Sequence, residues 1–256
     1  MTELSGTVAV VTGAAGGLGG AIVDALLAAG STPVLLDSDA DALERVTRGR
    51  GLLGLTCDIS DRDAIDAAAA ELEREHGRCD ILVNNAAVLL RAPLEDHPVG
   101  LWDRVIDVNL RGYFLATQSF GRLMRASSGG GAIVNIASAA AEAPSIANGA
   151  YCASKAGVLA LTRQIAVEWG PYGIRANAVS PIFMDTPMTA DIAGDPERLR
   201  QRTHNIPLGR IGDTTEVARV VRFLAGPGSS YLNGINVPVD GALAQARAGG
   251  WQGAAR

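Results

Sequence analysis

The sequence predicts an α/β fold: a doubly wound parallel sheet of about seven strands in a single domain. Three observations predict it. Seven short apolar runs alternate with longer helical patterns along nearly the whole chain, the layering of a parallel sheet with right-handed crossovers. Several of these runs are almost continuous Val, Ile and Leu, as strands covered on both faces require. A glycine-rich turn joins the first run to the first helical pattern.

In chain order, the first strand is placed at residues 7–11 and the first helix at 17–29, with the glycine turn between them. A second strand at 33–36 ends on Asp37, and a helix follows at 39–48. A third strand at 52–56 leads to a helix over 61–76, with Ser60 as N-cap and Asp61 and Asp63 in its first turn. The fourth strand is 81–84 and a long helix covers 101–125. The fifth strand, 132–136, precedes a helix over 151–169, which stops at Gly170-Pro171. The sixth and seventh strands are 175–179 and 235–239, with a helix at 215–225 between them. Residues 180–207 read as one long irregular segment, and such a loop in a compact domain is usually functional. The domain spans 1–241. The tail, 242–256, carries no strong pattern and reads as partly disordered.

Composition excludes several classes of function. Of 256 residues, 48% are hydrophobic and 19% charged, and the formal charge is −5 with basic residues scattered. No basic patch marks a nucleic-acid footprint, and aromatics at 4% are too sparse for base-stacking platforms. Cys57, Cys79 and Cys152 are odd in number and widely spaced, which predicts reduced thiols in a cytoplasmic protein. His76, His97 and His204 lack paired ligand spacing, so no metal site is expected. Residues 4–23 hold no charge, but six of them are glycine and no basic residue precedes them. They read as folded structure, not as a membrane span or a signal peptide.

The chemistry-bearing residues stand out by spacing. The chain has 22 basic residues and only one of them is lysine, Lys155. Tyr151 lies four residues before it, on the same helix face, where an ammonium can lower a phenol's pKa towards working pH and make it a general acid/base. The turn Thr12-Gly13-Ala14-Ala15-Gly16-Gly17-Leu18-Gly19 allows backbone N–H groups to approach a pyrophosphate at a helix N-terminus. Asp37, at the end of the second strand, can accept both adenosine-ribose hydroxyls of NAD and would repel a 2′-phosphate. Cys152 reads as a small buried hydrophobe, and the arginines at 198, 200 and 202 as a solvated face.

With these residues in view, the chain resembles the short-chain dehydrogenase/reductase family, in its compact single-domain branch with a Rossmann-like fold. The resemblance covers about residues 5–241. Gly13, Gly17, Leu18 and Gly19 fall in the family's cofactor turn. Asp58-Ile59 matches its adenine-contacting pair. Asn84-Asn85-Ala86-Ala87 matches its Asn-Asn-Ala-Gly signature, with Ala87 in place of glycine. Ser180-Pro181 with Thr186 matches the segment beside the nicotinamide, although Ile182 stands where glycine is usual. That departure implies a different turn or a narrowed pocket. Asn109, Ser138, Tyr151 and Lys155 match the four catalytic positions. The resemblance implies proton exchange by Tyr151, ribose binding by Lys155, substrate orientation by Ser138, and a helix break at Asn109 that links Lys155 to water.

The expected activity is therefore NAD(H)-dependent interconversion of a secondary alcohol and a ketone. Leu89, Leu90, Ala139 to Ala141, Ile146, Ile182, Phe183, Met184 and Met188 are the expected pocket walls, suited to a neutral or partly hydrophobic substrate. Two alternatives stand beside it: an NADPH-dependent reductase of carrier-bound 3-oxoacyl thioesters, and a catalytically silent dinucleotide sensor or scaffold. The long helices 101–125 and 151–169 carry more apolar surface than one sheet face needs, and the resemblance, whose members commonly pair these helices across an interface, implies a homo-oligomer, expected as a tetramer, with no nucleic-acid or membrane partner.

Overall fold

In the computed structural model, residues 3–127, 129–184, 186 and 195–248 are described. Seven strands form one sheet: β1 (Val8–Thr12), β2 (Thr32–Asp37), β3 (Leu53–Thr56), β4 (Ile81–Asn84), β5 (Gly131–Ile136), β6 (Ile174–Pro181) and β7 (Asn236–Val239). All pairs are parallel and the order is β3-β2-β1-β4-β5-β6-β7. The order reverses between β1 and β4, the switch point at which such sheets bind ligands.

The pleat divides the apolar runs between two cores. Val8 and Val10 join a cluster with Ile65, Tyr113, Phe120 and Val158. Their neighbours Ala9 and Val11 join one with Ile22, Leu26, Val217 and Val221 on the other face. Hence one face carries α3 (Arg62–His76), α5 (Gly112–Ala126) and α6 (Gly149–Trp169), and the other α1 (Gly17–Ala28) and α8 (Thr214–Ala225). Alternation within a strand is what places both faces under cover. Among the described residues, no helix is long and apolar enough to cross a membrane.

Four local expectations need correction. Helix α3 is capped by Asp61, which accepts from the amides of Asp63 and Ala64, because Ser60 is engaged with Asp58. The predicted helix at 101–125 is two helices, α4 (Val99–Ile106) and α5, joined by a π turn, Asp107–Arg111. The segment 180–207 is not wholly irregular, since α7 (Pro196–His204) lies within it; residues 185 and 187–194 lie outside the described residues. The tail forms a short helix, α9 (Leu243–Ala248), with Leu243 buried, and residues 249–256 lie outside the described ones.

Candidate active site

A cleft of about 750 Å³ opens along the C-terminal ends of β1, β2, β4 and β5. At one end it is floored by the glycine turn. Gly13 has φ +62°, and a Cβ there would lie 2.7 Å from Ala86 Cα, so only glycine fits without strain. Asn85 braces this turn: its Nδ2 donates to the carbonyls of Thr12 and Gly13, both at 3.0 Å. Gly17, Leu18 and Gly19 begin α1, whose first turn carries no acidic residue, and Gly16, Gly17, Leu18 and Gly19 line the cleft.

Asp37 and Asp58 stand at the same end. Asp37 accepts from the amides of Ala15 and Asp39, each at 3.0 Å, which ties the end of β2 to the glycine turn. Asp58 accepts from the Ser60 amide and hydroxyl and pairs with Arg104 at 3.0 Å. Partial burial pushes its carboxyl up, but the bonds from Ser60 and Arg104 prevail and hold it below its usual value. Ile59 is buried under the start of α5, where a Cβ on Gly112 would meet it at 2.9 Å. Arg104 escaped the sequence reading, since it reaches this end from α4, 46 residues beyond Asp58.

At the other end, α6 presents Tyr151 and Lys155, with Ser138 after β5. The Ser138 hydroxyl lies near enough to the Tyr151 phenol to lower its pKa and accepts from the Ala140 amide at 3.1 Å. The expected lowering of the Tyr151 pKa is corrected. Burial raises it, and Ser138 offsets only part of the rise. Lys155 is itself 1% exposed, and burial brings its pKa from 10.5 down to about 7. Its Nζ donates to Ile136 O at 2.7 Å and to Tyr113 Oη at 3.2 Å, and it lies 5.8 Å from the centre of the Tyr151 ring.

Asn109 is placed in the π turn, as a helix break requires, but its side chain does not reach Lys155. Its amide accepts from the Val88 N–H at 2.8 Å and donates to Val88 O and to Ser154. The residue thus fastens the loop after β4 to α6. Below the cleft, Asn84 donates to Asn135 at 2.8 Å and Asn135 to Thr162 at 2.9 Å, a polar rung across β4, β5 and α6.

The walls are less apolar than expected. Leu89, Ala139, Ala140, Ile182, Phe183 and Met184 do line the cleft, as does Thr186. Leu90, Ala141 and Ile146 do not, Ile146 being 96% exposed, and Met188 lies outside the described residues. Arg91, Ser145, Asn148, Gln201, Asn205 and Leu243 are additions. They come from four separate segments, and no local pattern in the chain points to them. The Asn148 Oδ1 is buried without a partner among the described residues. Ile182 does not take a left-handed backbone; among the described non-glycine residues only Ala147 and Ala242 have positive φ. Its amide instead donates to Val239 O at 3.3 Å, so the β6–β7 pairing runs on through the position where glycine would turn.

A dinucleotide-type glycine turn and a Ser–Tyr–Lys cluster facing one cleft of a seven-stranded parallel sheet define a Rossmann-like oxidoreductase. The chain belongs to the short-chain dehydrogenase/reductase family. Residues 13–243 match the family model described as enoyl-(acyl carrier protein) reductase. The chain is 39% identical to D-threitol dehydrogenase of Mycolicibacterium smegmatis over 93% of each chain. It is 37% identical to NAD-dependent glycerol dehydrogenase of Listeria innocua, over 93% of this chain and 94% of the relative. Among solved structures, gluconate 5-dehydrogenase of Burkholderia cenocepacia, in complex with NADP and tartrate, superposes with TM-score 0.90 at 32% identity. That match covers 95% of this chain and 97% of the other.

Proposed function

We propose that this protein is an NAD(H)-dependent oxidoreductase that interconverts a secondary alcohol and a ketone, acting on small polyols and their keto counterparts. The observation that carries the reading is the convergence of Ser138, Tyr151 and Lys155 at one end of a cleft whose other end holds the glycine turn, Asp37 and Asp58. The residues present fit the cofactor. The first turn of α1 brings no carboxylate against a pyrophosphate, and Gly16 to Gly19 line the cleft where it would lie. Asp37 keeps free lone pairs for ribose hydroxyls after accepting two amides. Gly13, Gly17, Leu18, Gly19, Asp37, Asp58, Ile59, Asn85, Tyr151, Lys155 and Thr186 would hold NAD, which supplies a hydride acceptor when bound and, as NADH, a donor.

The protein's part is proton handling and orientation. Tyr151, with its pKa raised, is a ready donor to a carbonyl oxygen in the reducing direction; the oxidising direction calls for an alkaline medium. Ser138 hydrogen-bonds the same oxygen and orients it. Lys155 holds the ribose, and Asn109 fixes the loop on which the cleft depends. The amide side chains of Asn148, Gln201 and Asn205 support a hydroxylated substrate, because a partnerless acceptor such as Asn148 Oδ1 wants a donor. A silent sensor would dispense with one of the four groups, and none is missing. Three unpaired cysteines, two of them buried, support a cytoplasmic setting.

The test is NADH formation from NAD with a panel of polyols and secondary alcohols. Wild-type protein should turn over at least one polyol, and Tyr151→Phe should lose on the order of 10²–10⁴-fold in kcat while still binding NADH. No turnover across the panel overturns the reading. A Phe variant within about threefold of wild type removes Tyr151 from the mechanism.

A further inference from the structure

The ammonium of Lys155 sits between two phenols. Its Nζ is 4.9 Å from the centre of the Tyr113 ring and 5.8 Å from that of Tyr151. Only Tyr113 bonds it. Tyr113 Oη accepts from Nζ at 3.2 Å and donates to Ile136 O at 3.2 Å, while Nζ itself donates to that carbonyl at 2.7 Å. The three polar groups close a triangle with no water-facing side, since Tyr113 is 0% and Lys155 1% exposed. A carbonyl has two lone pairs and an ammonium three donors, so the triangle satisfies the carbonyl and leaves Lys155 one donor for the cleft.

Asn109 does not compete for this place. Both ends of its amide are engaged by the Val88 backbone and Ser154. Tyr113 lies one turn further along, just past the π turn, at the start of α5.

We infer that Tyr113 is a positioning residue for Lys155: with the Ile136 carbonyl, its hydroxyl forms a buried cradle that aims the only lysine at the cleft and favours its charged form beyond what burial alone would allow. Accepting an N–H bond favours ammonium over amine, and burial acts in the opposite sense. Without the cradle the charged form would be disfavoured further, and the amine would lose its fixed aim at ribose and phenol alike. The ionisable groups that face Lys155 among the described residues are Tyr113 from α5 and Tyr151 from α6. Cys152 acts on Tyr151 in turn; Ile136 and Ser138 bring no titratable group. The catalytic consequence rests on the oxidoreductase reading, but the cradle itself does not.

The chain's composition makes the test site-specific. With one lysine, protein labelled with carbon-13 at lysine Cε and carrying a lysine-free tag gives a single lysine resonance, whose pH titration is that of Lys155. Tyr113→Phe keeps the ring and removes only the hydroxyl; its midpoint should fall by roughly one pH unit, the scale of a hydrogen bond to a charged group. Tyr151→Phe removes the phenol that Lys155 does not bond, and should move the midpoint less. In wild-type protein carrying fluorotyrosine, the fluorine signal that Tyr113→Phe abolishes should follow the lysine midpoint, a second readout taken on the unaltered site. The proposal is overturned if Tyr113→Phe shifts the midpoint by less than about 0.3 unit, if Tyr151→Phe shifts it more, or if the Tyr113 fluorine signal ignores it. None of these readings needs a substrate, so inactivity towards polyols would count against the proposed reaction and leave the cradle to be judged separately.

Discussion

Gly19 and Gly20 are neighbours in the first turns of α1, yet the structure assigns them opposite responses to the same substitution. A Cβ on Gly19 would lie 2.0 Å from the Gly13 carbonyl oxygen and 2.9 Å from Ala14 Cα. Both are backbone, and the turn cannot retreat. The Gly13 carbonyl is held by Asn85, and Gly13 already lies against Ala86. Overpacking costs about 1–3 kcal/mol where side chains can give, so a clash with pinned backbone takes the upper value, about 3 kcal/mol. At about 2–4 °C per kcal/mol for a chain of this size, Gly19→Ala should lower Tm by about 6–12 °C. It should also weaken NADH binding at least about tenfold, because the amides of this turn are the pyrophosphate site. A Cβ on Gly20 meets nothing closer than Ala14 O at 4.0 Å. There alanine should gain about 0.5–1 kcal/mol from lower unfolded-state entropy, a rise in Tm of about 1–4 °C, with NADH binding unchanged. Thermal melts and NADH fluorescence titrations of both variants measure this. Gly19→Ala within about 2 °C of wild type, or Gly20→Ala melting below it, would refute the close approach of α1 to the glycine turn.

Asp37 should give NAD at least about a tenfold advantage over NADP in kcat/KM, since a phosphate some 4 Å away costs about 4 kcal/mol at a surface dielectric and about 1.4 kcal/mol is tenfold. Equal efficiencies would place Asp37 away from the ribose, and Asp37→Ala should relax the preference mainly by weakening NAD. Lys155 has a folded pKa of about 7 against an ordinary 10.5, so between these values the unfolded chain binds a proton the folded chain does not, and the lysine makes stability rise with pH. The Tm of wild type relative to Lys155→Met should therefore climb from pH 7 to about pH 9; a flat difference would show that the lysine is charged throughout. Leu101, Phe114 and Val167 on α4, α5 and α6 are 38%, 46% and 76% exposed, and sedimentation at micromolar concentration should show an oligomer, expected to be a tetramer. A monomer alone would count against the pairing of these helices.

What could be read from the chain was local. The strands announce themselves because burial on both faces removes the polar alternation, and Ile81–Asn84 was legible to the residue. Tyr151 and Lys155 were legible because four residues is one helical turn. Choices between equals were not: Ser60 and Asp61 are both good caps, and only the demand of Asp58 for the Ser60 hydroxyl decides. Nor was the environment of the site. Proximity of an ammonium suggests a lowered phenol pKa, but burial, which spacing does not reveal, raises it, and the partial offset comes from Ser138. Arg104 on Asp58 and Asn205 in the cleft depend on how distant segments meet. Tyr113 was hidden differently. No local spacing marks it within the expected helix 101–125, and its face can be assigned only once the π turn before it is known.

That π turn acts as a phase setter. Residues of an α-helix advance by about 100° and 1.5 Å each, so the extra residue accommodated between Asp107 and Arg111 rotates α5 relative to α4 and scarcely lengthens it. Everything downstream is tuned to that rotation. Gly112 rests on Ile59, Tyr113 faces Lys155, and Gly121 gives room to the Trp169 ring, which a Cβ would meet at 2.2 Å. A one-residue deletion here would be felt as a twist of the whole helix, swinging the Tyr113 hydroxyl away from the ammonium and driving a bulkier side chain into Trp169. Length changes in this chain should therefore accumulate in its surface turns, and the spacing from Asn109 to Tyr113 should behave as a fixed interval.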